Sequence, residues 1–182
     1  MLEEKQKRET VMNIETEWGQ MLASSAGEYC DLIDHIEQVN GDWLDDLSAL
    51  LPRIHAAISS MDGRDDKCPH EPGADLDLDR RFELYSRLRK LLGDHDGYML
   101  EFDKLEDFDG ASGSLADDFT DIYFELKKGL DLLGSEPDAL SRAVSVWYGS
   151  YLWHWGQHLV DAEKHLYDIQ VHRRLGSHCM VI

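Results

Sequence analysis

The sequence predicts an all-α protein, folded as a single helical bundle of about five helices. Apolar residues recur at three- and four-residue spacing along most of the chain. Neither a sustained alternation of apolar and polar residues nor a repeat of about 20–50 residues occurs. The chain has 182 residues, of which 42% are hydrophobic, and this is enough for one domain with a buried core.

The first helical pattern begins at Thr10, after a charged segment, residues 1–9, that we expect to be frayed. Residues 24–27 (Ser-Ser-Ala-Gly) are expected to break or kink this helix, and Asn40-Gly41 to end it. Asp42 is expected to cap a second helix that reaches Ile58 and is kinked at Pro52. The predicted domain is therefore 10–172, followed by a flexible tail, 173–182.

Two loops separate the next helices. Residues 61–75 form the first loop, and a third helix over 76–92 is expected to stop at Gly93. The second loop covers 94–113, where Tyr98 to Phe102 could be extended but is too isolated to make a sheet. Ser114 then caps a fourth helix, and Pro137 leads into the long C-terminal helix, 139–172, which we expect to be central in the bundle.

This last helix is apolar on two sides when it is drawn as a wheel of about 100° per residue. One side is the predicted core face: Val144, Tyr151, Trp155, Leu159, Ala162, Leu166 and Ile169. The other is an apolar seam of residues spaced by seven: Val146, Trp153, Val160 and Tyr167. A helix with two apolar sides is either central in its bundle or covered by a partner, so both interpretations stay open.

Between these sides lies a histidine stripe: Trp147, His154, His158, Asp161, His165 and His172. The fourth helix carries a carboxylate ladder, Asp118, Asp121 and Glu125, at spacings that share one helix face. Together, six residues are candidate metal ligands: Asp118, Asp121, Glu125, His154, His158 and Asp161. The chain has neither the HExxH of zinc peptidases nor the ExxH of di-iron bundles. The favoured interpretation is therefore a structural polar network without metal, made of Asp118, Glu125, His154, His158, Asp161 and His165.

The net charge of −19 argues against nucleic acid and anionic membranes as partners, because phosphates would be repelled. A solvated surface, a basic protein partner or a salt-rich cytoplasm would each account for the acidity. No apolar run approaches a membrane span and no signal segment follows Met1, so we expect a cytoplasmic protein. The three cysteines, Cys30, Cys68 and Cys179, are expected to be reduced thiols.

Three weaker motifs are not expected to be functional. Asp75, Asp77 and Asp79 imitate the start of a calcium loop, but Arg80 stands where that loop needs glycine. Asp77 and Asp79 are expected to stabilise a helix N-terminus instead. Cys68 beside His70 lacks a third group to orient it. The last four residues, 179–182, have the form of a prenylation box that we do not expect to be used.

Two blocks of the sequence resemble a known family. The first block, Ser114 to Lys128, reads SLADDFTDIYFELKK. The second block reads HWGQHLVD and begins at His154. With Trp147 and His165, and with 50–54 and 98–102, they look like a bacterial family of small helical domains of unknown function. The resemblance implies an all-α, cytoplasmic, single-domain protein and supplies no catalytic residue. The chain departs from it in the loop 61–79 and in the tail 172–182.

The leading functional prediction is a non-enzymatic, acidic interaction module without a cofactor, which binds a protein partner or forms a homodimer. It depends on the charge, on the apolar seam and on the lack of a complete catalytic constellation, so the catalytic residues are unknown. The alternative is a metal-dependent hydrolase of phosphoesters or nucleotides that uses the six candidate ligands.

Overall fold

The computed structural model of the chain is a bundle of helices, and it describes residues 2–39, 42–61, 77–99, 112–133 and 139–178, with side chains from 16 to 175 within these ranges. A π-helical turn, Tyr151–Trp155, joins the last two helices into one continuous run, so that the described residues form five helical bodies. The predicted all-α bundle is confirmed. The helices are α1 (Leu2–Asp34), α2 (Trp43–Ser59), α3 (Leu78–Leu92), α4 (Leu115–Leu132), α5 (Ala139–Ser150) and α6 (Gly156–His178), with short 3-10 turns at Ile36–Gln38 and Gly93–His95.

Three helices run further than the sequence suggested. The backbone of α1 is helical from Leu2, where a frayed segment was expected, and it passes through 24–27 without a break. α2 continues through Pro52, whose side chain is exposed. α6 extends six residues past His172. The expected stop at Asn40-Gly41, the loop 62–76 with Cys68 and His70, and the residues 179–182 lie outside the described residues.

The predicted caps are confirmed at three helix starts, because side-chain oxygens satisfy backbone N–H groups that have no partner within the helix. Asp42 accepts from Leu44 at 3.3 Å, and Asp77 accepts from Arg80 at 3.1 Å. Ser114 accepts from the backbone of Asp117 at 3.3 Å. Gly93 ends α3 with a φ of 54°, a conformation that residues with a side chain rarely adopt.

A two-stranded antiparallel sheet contradicts the expectation that the 98–102 segment is too isolated to pair. Strand β1 (Gly97–Met99) pairs with β2 (Ser112–Ser114), and Tyr98 lies opposite Gly113. The hairpin is tied to α4 by Asp96, whose carboxylate accepts from the Ser114 hydroxyl and from the backbone of Ala116, both at 2.9 Å. Tertiary hydrogen bonds thus stabilise a ribbon that would be marginal alone.

α4 organises the core, because it packs against α1, α3, α5 and α6. The C-terminal helical run packs against α1 and α4 through α5 and against α2 and α4 through α6. The largest side chains that are fully buried in this core are Trp147, Trp155, Tyr29 and Phe119. In the described residues, no helix combines the length and apolarity needed to cross a membrane.

The π-helical turn corrects the predicted position of Trp147, which the regular wheel had placed on the histidine stripe. A π turn takes up one extra residue, so it rotates the residues before it by about 100° relative to those after it. Trp147 therefore joins Trp155 on the core side, and both are fully buried. Val146 is rotated out of line with Trp153 for the same reason and is half-buried.

The indole of Trp147 lies directly on Gly129 of α4. Its Nε1 donates to the backbone oxygen of Leu126 at 2.9 Å. A Cβ atom added at Gly129 would stand 2.1 Å from the indole ring, closer than any real contact. Glycine is required here because α4 and α5 approach too closely for any side chain.

We predict that Gly129→Ala lowers the free energy of unfolding by about 1–3 kcal/mol, the usual cost of overpacking a core. Gly27→Ala is the matched control, because Gly27 is also helical and has no atom within 4 Å of its added Cβ. Alanine there is expected to stabilise α1 by about 0.5–1 kcal/mol. Urea denaturation measures both, and equal effects at the two sites would contradict the packing of Trp147.

Candidate functional site

Three carboxylates on one face of α4 are buried, which is unusual for acidic side chains. Asp118, Asp121 and Glu125 lie at the spacing that places them on neighbouring turns, and each is less than a tenth exposed. Buried carboxylates need charged or hydrogen-bonding partners, since water no longer solvates them. The partners come from α3, from β1, from α4 itself and from the π turn and α6.

His158 of α6 lies between two of these carboxylates. Its Nδ1 donates to Asp118 Oδ1 at 2.8 Å, and its Nε2 lies 3.1 Å from Asp121 Oδ2. The imidazole is thus in contact with carboxylate oxygen at both ring nitrogens. This contact joins α6 to α4 at the centre of the predicted polar network.

His154, one turn earlier in the π-helical segment, approaches the same carboxylate. Its Nε2 lies 3.6 Å from Asp121 Oδ2, and its Nδ1 lies 3.7 Å from Glu125 Oε1. The two imidazole rings meet edge to face, with their centroids 5.2 Å apart. The Nε2 atoms of both histidines therefore face Asp121 Oδ2, while both Nδ1 atoms face a further carboxylate.

Three residues of this site were not predicted from the sequence. The Tyr98 hydroxyl donates to Asp118 Oδ2 at 2.6 Å. Arg81 of α3 forms an ion pair with Asp121 Oδ1, and Lys128 donates to Glu125 Oε1 at 2.5 Å. Lys128 could have been found from its i,i+3 spacing to Glu125. Arg81 and Tyr98 reach α4 only through the tertiary fold, so no local pattern identifies them.

Burial and ion pairing shift the pKa values of the site in different directions. The hydrogen bond to Asp118 raises the pKa of His158, and burial opposes that shift. Burial lowers the pKa of His154, and the charge of Glu125 opposes it. Burial raises the pKa of Asp118, against the hydrogen bonds from His158 and Tyr98. His158 is thus protonated at a higher pH than a histidine in water, and His154 at a lower pH.

The rest of the histidine stripe lies elsewhere on α6. Asp161 accepts from Gln157 at 2.9 Å, within its own helix. The Nε2 of His165 donates to the backbone oxygen of His95 at 3.1 Å, and its ring stacks on Tyr98 with centroids 4.7 Å apart. His172 is exposed and contacts the backbone oxygen of Asp168. The fold therefore brings together Asp118, Asp121, Glu125, His154 and His158 but leaves Asp161 and His165 outside this cluster.

A groove of about 850 Å³ runs along α6 beside the hairpin, one turn away from His158. Tyr98 forms part of its wall and also contacts the cluster through Asp118. Its other lining residues belong to the 3-10 turn, to β1 and to the face of α6 that begins at Gln157: His95, Gly97, Met99, Gln157, Asp161, Lys164, His165, Asp168, Ile169, His172 and Arg173.

Three residues of the apolar seam, Trp153 in the π turn and Val160 and Tyr167 on α6, are exposed on a different face of this helical run. Trp153 is 77% exposed, Tyr167 65% and Val160 44%. Their seven-residue spacing keeps them on one side of the helix, about 21 Å from end to end. Val146 is half-buried and does not continue this row. These side chains do not belong to the core.

The comparisons with known proteins agree with the fold. The family described as a domain of unknown function, DUF5063, matches residues 13–172. The crystal structure of protein BF1032 from Bacteroides fragilis is similar in fold, with a TM-score of 0.65 and 18% sequence identity, over 82% of this chain and 89% of that chain. At this identity the similarity concerns the fold alone. No curated protein matches the chain significantly.

We predict that replacing the two histidines has opposite pH dependence in protein treated with a chelator. Asp118 and Asp121 face His158, so its stabilising contribution is present below the unfolded pKa of about 6.5 and is lost as pH rises through the raised folded pKa. Burial disfavours charged His154, so its contribution is lost as pH falls.

Urea denaturation at about pH 5.5 and about pH 8.5 separates the two cases. His158→Gln is expected to destabilise more at the lower pH, and His154→Gln more at the higher pH. The groups that face these rings are unchanged in both variants: Arg81, Tyr98, Asp118, Asp121, Glu125 and Lys128. If both variants lost more stability at the same pH, the opposite directions of the two pKa shifts would be wrong.

Proposed function

The chain belongs to the DUF5063 family of domains of unknown function, and we propose that it is an interaction module whose exposed seam, Trp153, Val160 and Tyr167, binds a second copy of the same chain. The observation that carries this proposal is the exposure of Trp153. Trp153 is 77% exposed, it lies in one row with two further exposed apolar side chains, and tryptophan is enriched among the residues that anchor interfaces.

The size of the exposed seam supports an interface. A buried aromatic side chain covers about 150–250 Å², so Trp153 and Tyr167 together expose on the order of 300 Å². One side of a standard interface covers about 800 Å². Two side chains thus supply more than a third of that area. Val160 lies between them, and Leu152 and Leu175 are exposed on the same helical run.

The spacing of the seam favours a second copy as the occupant. Residues spaced by seven form a row along one side of a helix, and a second copy carries a row of the same length and spacing. A two-fold axis brings the same patch of both molecules together, so a partner with matching spacing is always present. In an antiparallel pair centred near Val160, each Trp153 would lie beside Tyr167 of the second copy.

The charge of the chain gives this interface a recognisable salt dependence. Two molecules with a net charge of −19 repel each other, and salt screens that repulsion. Self-association is therefore expected to strengthen as salt is added. A basic protein partner would show the opposite behaviour, because salt would screen an attraction.

We predict that Trp153→Ser with Val160→Ser weakens dimerisation at least about 30-fold, since truncating an interface tryptophan typically costs 2 kcal/mol or more. Sedimentation equilibrium at low and high salt measures the association constant. Both side chains are exposed, so the free energy of unfolding of the monomer should change little.

Phe82→Ser is the matched control, because Phe82 is 69% exposed but lies on α3, away from the seam. It should leave the association constant unchanged. A protein that stays monomeric at high salt and high concentration would overturn the proposal. So would equal effects of the seam and control variants, since that would show non-specific apolar association.

A further inference from the structure

We infer that Asp121, His154 and His158 form a binding site for one divalent transition-metal ion of the zinc class. The inference is independent of self-association, because none of the three residues belongs to the exposed seam, Trp153, Val160 and Tyr167. It also differs from the metal-free polar network that the sequence favoured. The reason is a geometry that the sequence alone could not show.

The distances fit a tetrahedral ion. Zinc binds imidazole nitrogen and carboxylate oxygen at about 2.0–2.2 Å, so two ligand atoms of a tetrahedral site stand about 3.3 Å apart. The Nε2 atoms of His158 and His154 lie 3.1 Å and 3.6 Å from Asp121 Oδ2. All three ligand atoms lie within 4.8 Å of one another. An ion could therefore be bound with small side-chain rotations.

The groups behind the ligands support this interpretation. Metal-binding histidines usually donate their second ring N–H to a carboxylate, which fixes the tautomer and directs the other nitrogen to the metal. Asp118 accepts from His158 Nδ1 at 2.8 Å, and Glu125 lies 3.7 Å from His154 Nδ1. Tyr98 in turn donates to Asp118. At both rings, the nitrogen that faces away from Asp121 thus has a carboxylate beside it.

The third ligand is oriented in a similar way. Arg81 pairs with Oδ1 of Asp121, which leaves Oδ2 directed at the two imidazoles. Three carboxylates face two cations, Arg81 and Lys128, so one negative charge remains in the cluster when both histidines are neutral. A divalent cation would compensate that charge in a partly buried site where water does so poorly.

The types of ligand atom indicate which metal ion would bind. Two imidazole nitrogens and one carboxylate oxygen suit zinc and its first-row neighbours, whereas calcium and magnesium take mainly oxygen ligands. His154 belongs to the π-helical turn, a feature that is frequent at functional sites. Its side chain is 40% exposed, so an ion has access to the site from solvent.

The geometry reduces the six candidate ligands of the sequence to three. Asp118 accepts a hydrogen bond from His158, Glu125 lies 3.7 Å from His154 Nδ1, and Asp161 pairs with Gln157 outside the cluster. Three protein ligands leave one tetrahedral position for water, which is the arrangement of catalytic rather than structural zinc sites. The hydrolase alternative would require an ion at this place.

Metal binding to protein purified without a histidine tag and treated with a chelator tests the inference. We expect isothermal titration calorimetry to give one equivalent of bound Zn²⁺, and Co²⁺ to give the strong visible absorption of a tetrahedral complex. His154→Gln should weaken binding at least about 100-fold, because it removes a ligand. Asp118→Asn should weaken it about 10–100-fold through His158.

His172→Gln is the matched control, because His172 lies on the same helical run outside the cluster, where it contacts the backbone oxygen of Asp168. It should leave affinity and spectrum unchanged, and circular dichroism should show that all variants are folded. Fewer than a tenth of an equivalent of bound metal would overturn the inference. Equal loss of affinity in His154→Gln and His172→Gln would also overturn it, since that would indicate non-specific binding by surface histidines.

Discussion

Three buried carboxylates on α4 need partner side chains, and the arrangement of the other elements depends on this constraint. Asp118, Asp121 and Glu125 are withdrawn from water, and an unpaired buried charge costs several kcal/mol. Each carboxylate is paired with side chains from other parts of the chain: Arg81 from α3, Tyr98 from β1, His158 from α6 and His154 from the π turn. Moving any one of these elements would remove a partner from at least one buried carboxylate. The polar contacts therefore specify how the helices are placed, while the apolar core stabilises them.

The apolar side of the same helix imposes a second condition. Trp147 must lie on Gly129 and donate to Leu126, and His154 and His158 must at the same time face the carboxylates. A regular helix cannot satisfy both, because Trp147 would then turn toward the histidine stripe. The π turn between Trp147 and His158 resolves this conflict. Trp155, the last residue of this turn, donates from its indole N–H to the Ser150 hydroxyl and to the backbone oxygen of Trp147. These bonds satisfy polar groups beside the irregular turn.

Local patterns in the sequence predicted most of the fold. The helices, the caps at Asp42 and Ser114 and the stop at Gly93 follow from periodicity and from single-residue chemistry, and the structure confirms them. The hairpin was missed because its two strands are short and are stabilised by Asp96, which is a tertiary contact. The predicted helix face of Trp147 was wrong, because a helical wheel drawn with one constant period cannot show an irregular turn. The candidate ligands were named, but their roles depend on Arg81 and Tyr98, which are distant in sequence.

The π turn also makes this helical run sensitive to changes of length. A single residue deleted between Tyr151 and Trp155 would restore a regular helix, yet it would rotate α5 by about 100° relative to α6. Either Trp147 would leave the core or the histidines would leave the carboxylates. A substitution of the exposed Leu152 would keep the number of residues in the turn and therefore the orientation of both helices. The number of residues in this turn thus couples the packing of the core to the geometry of the site.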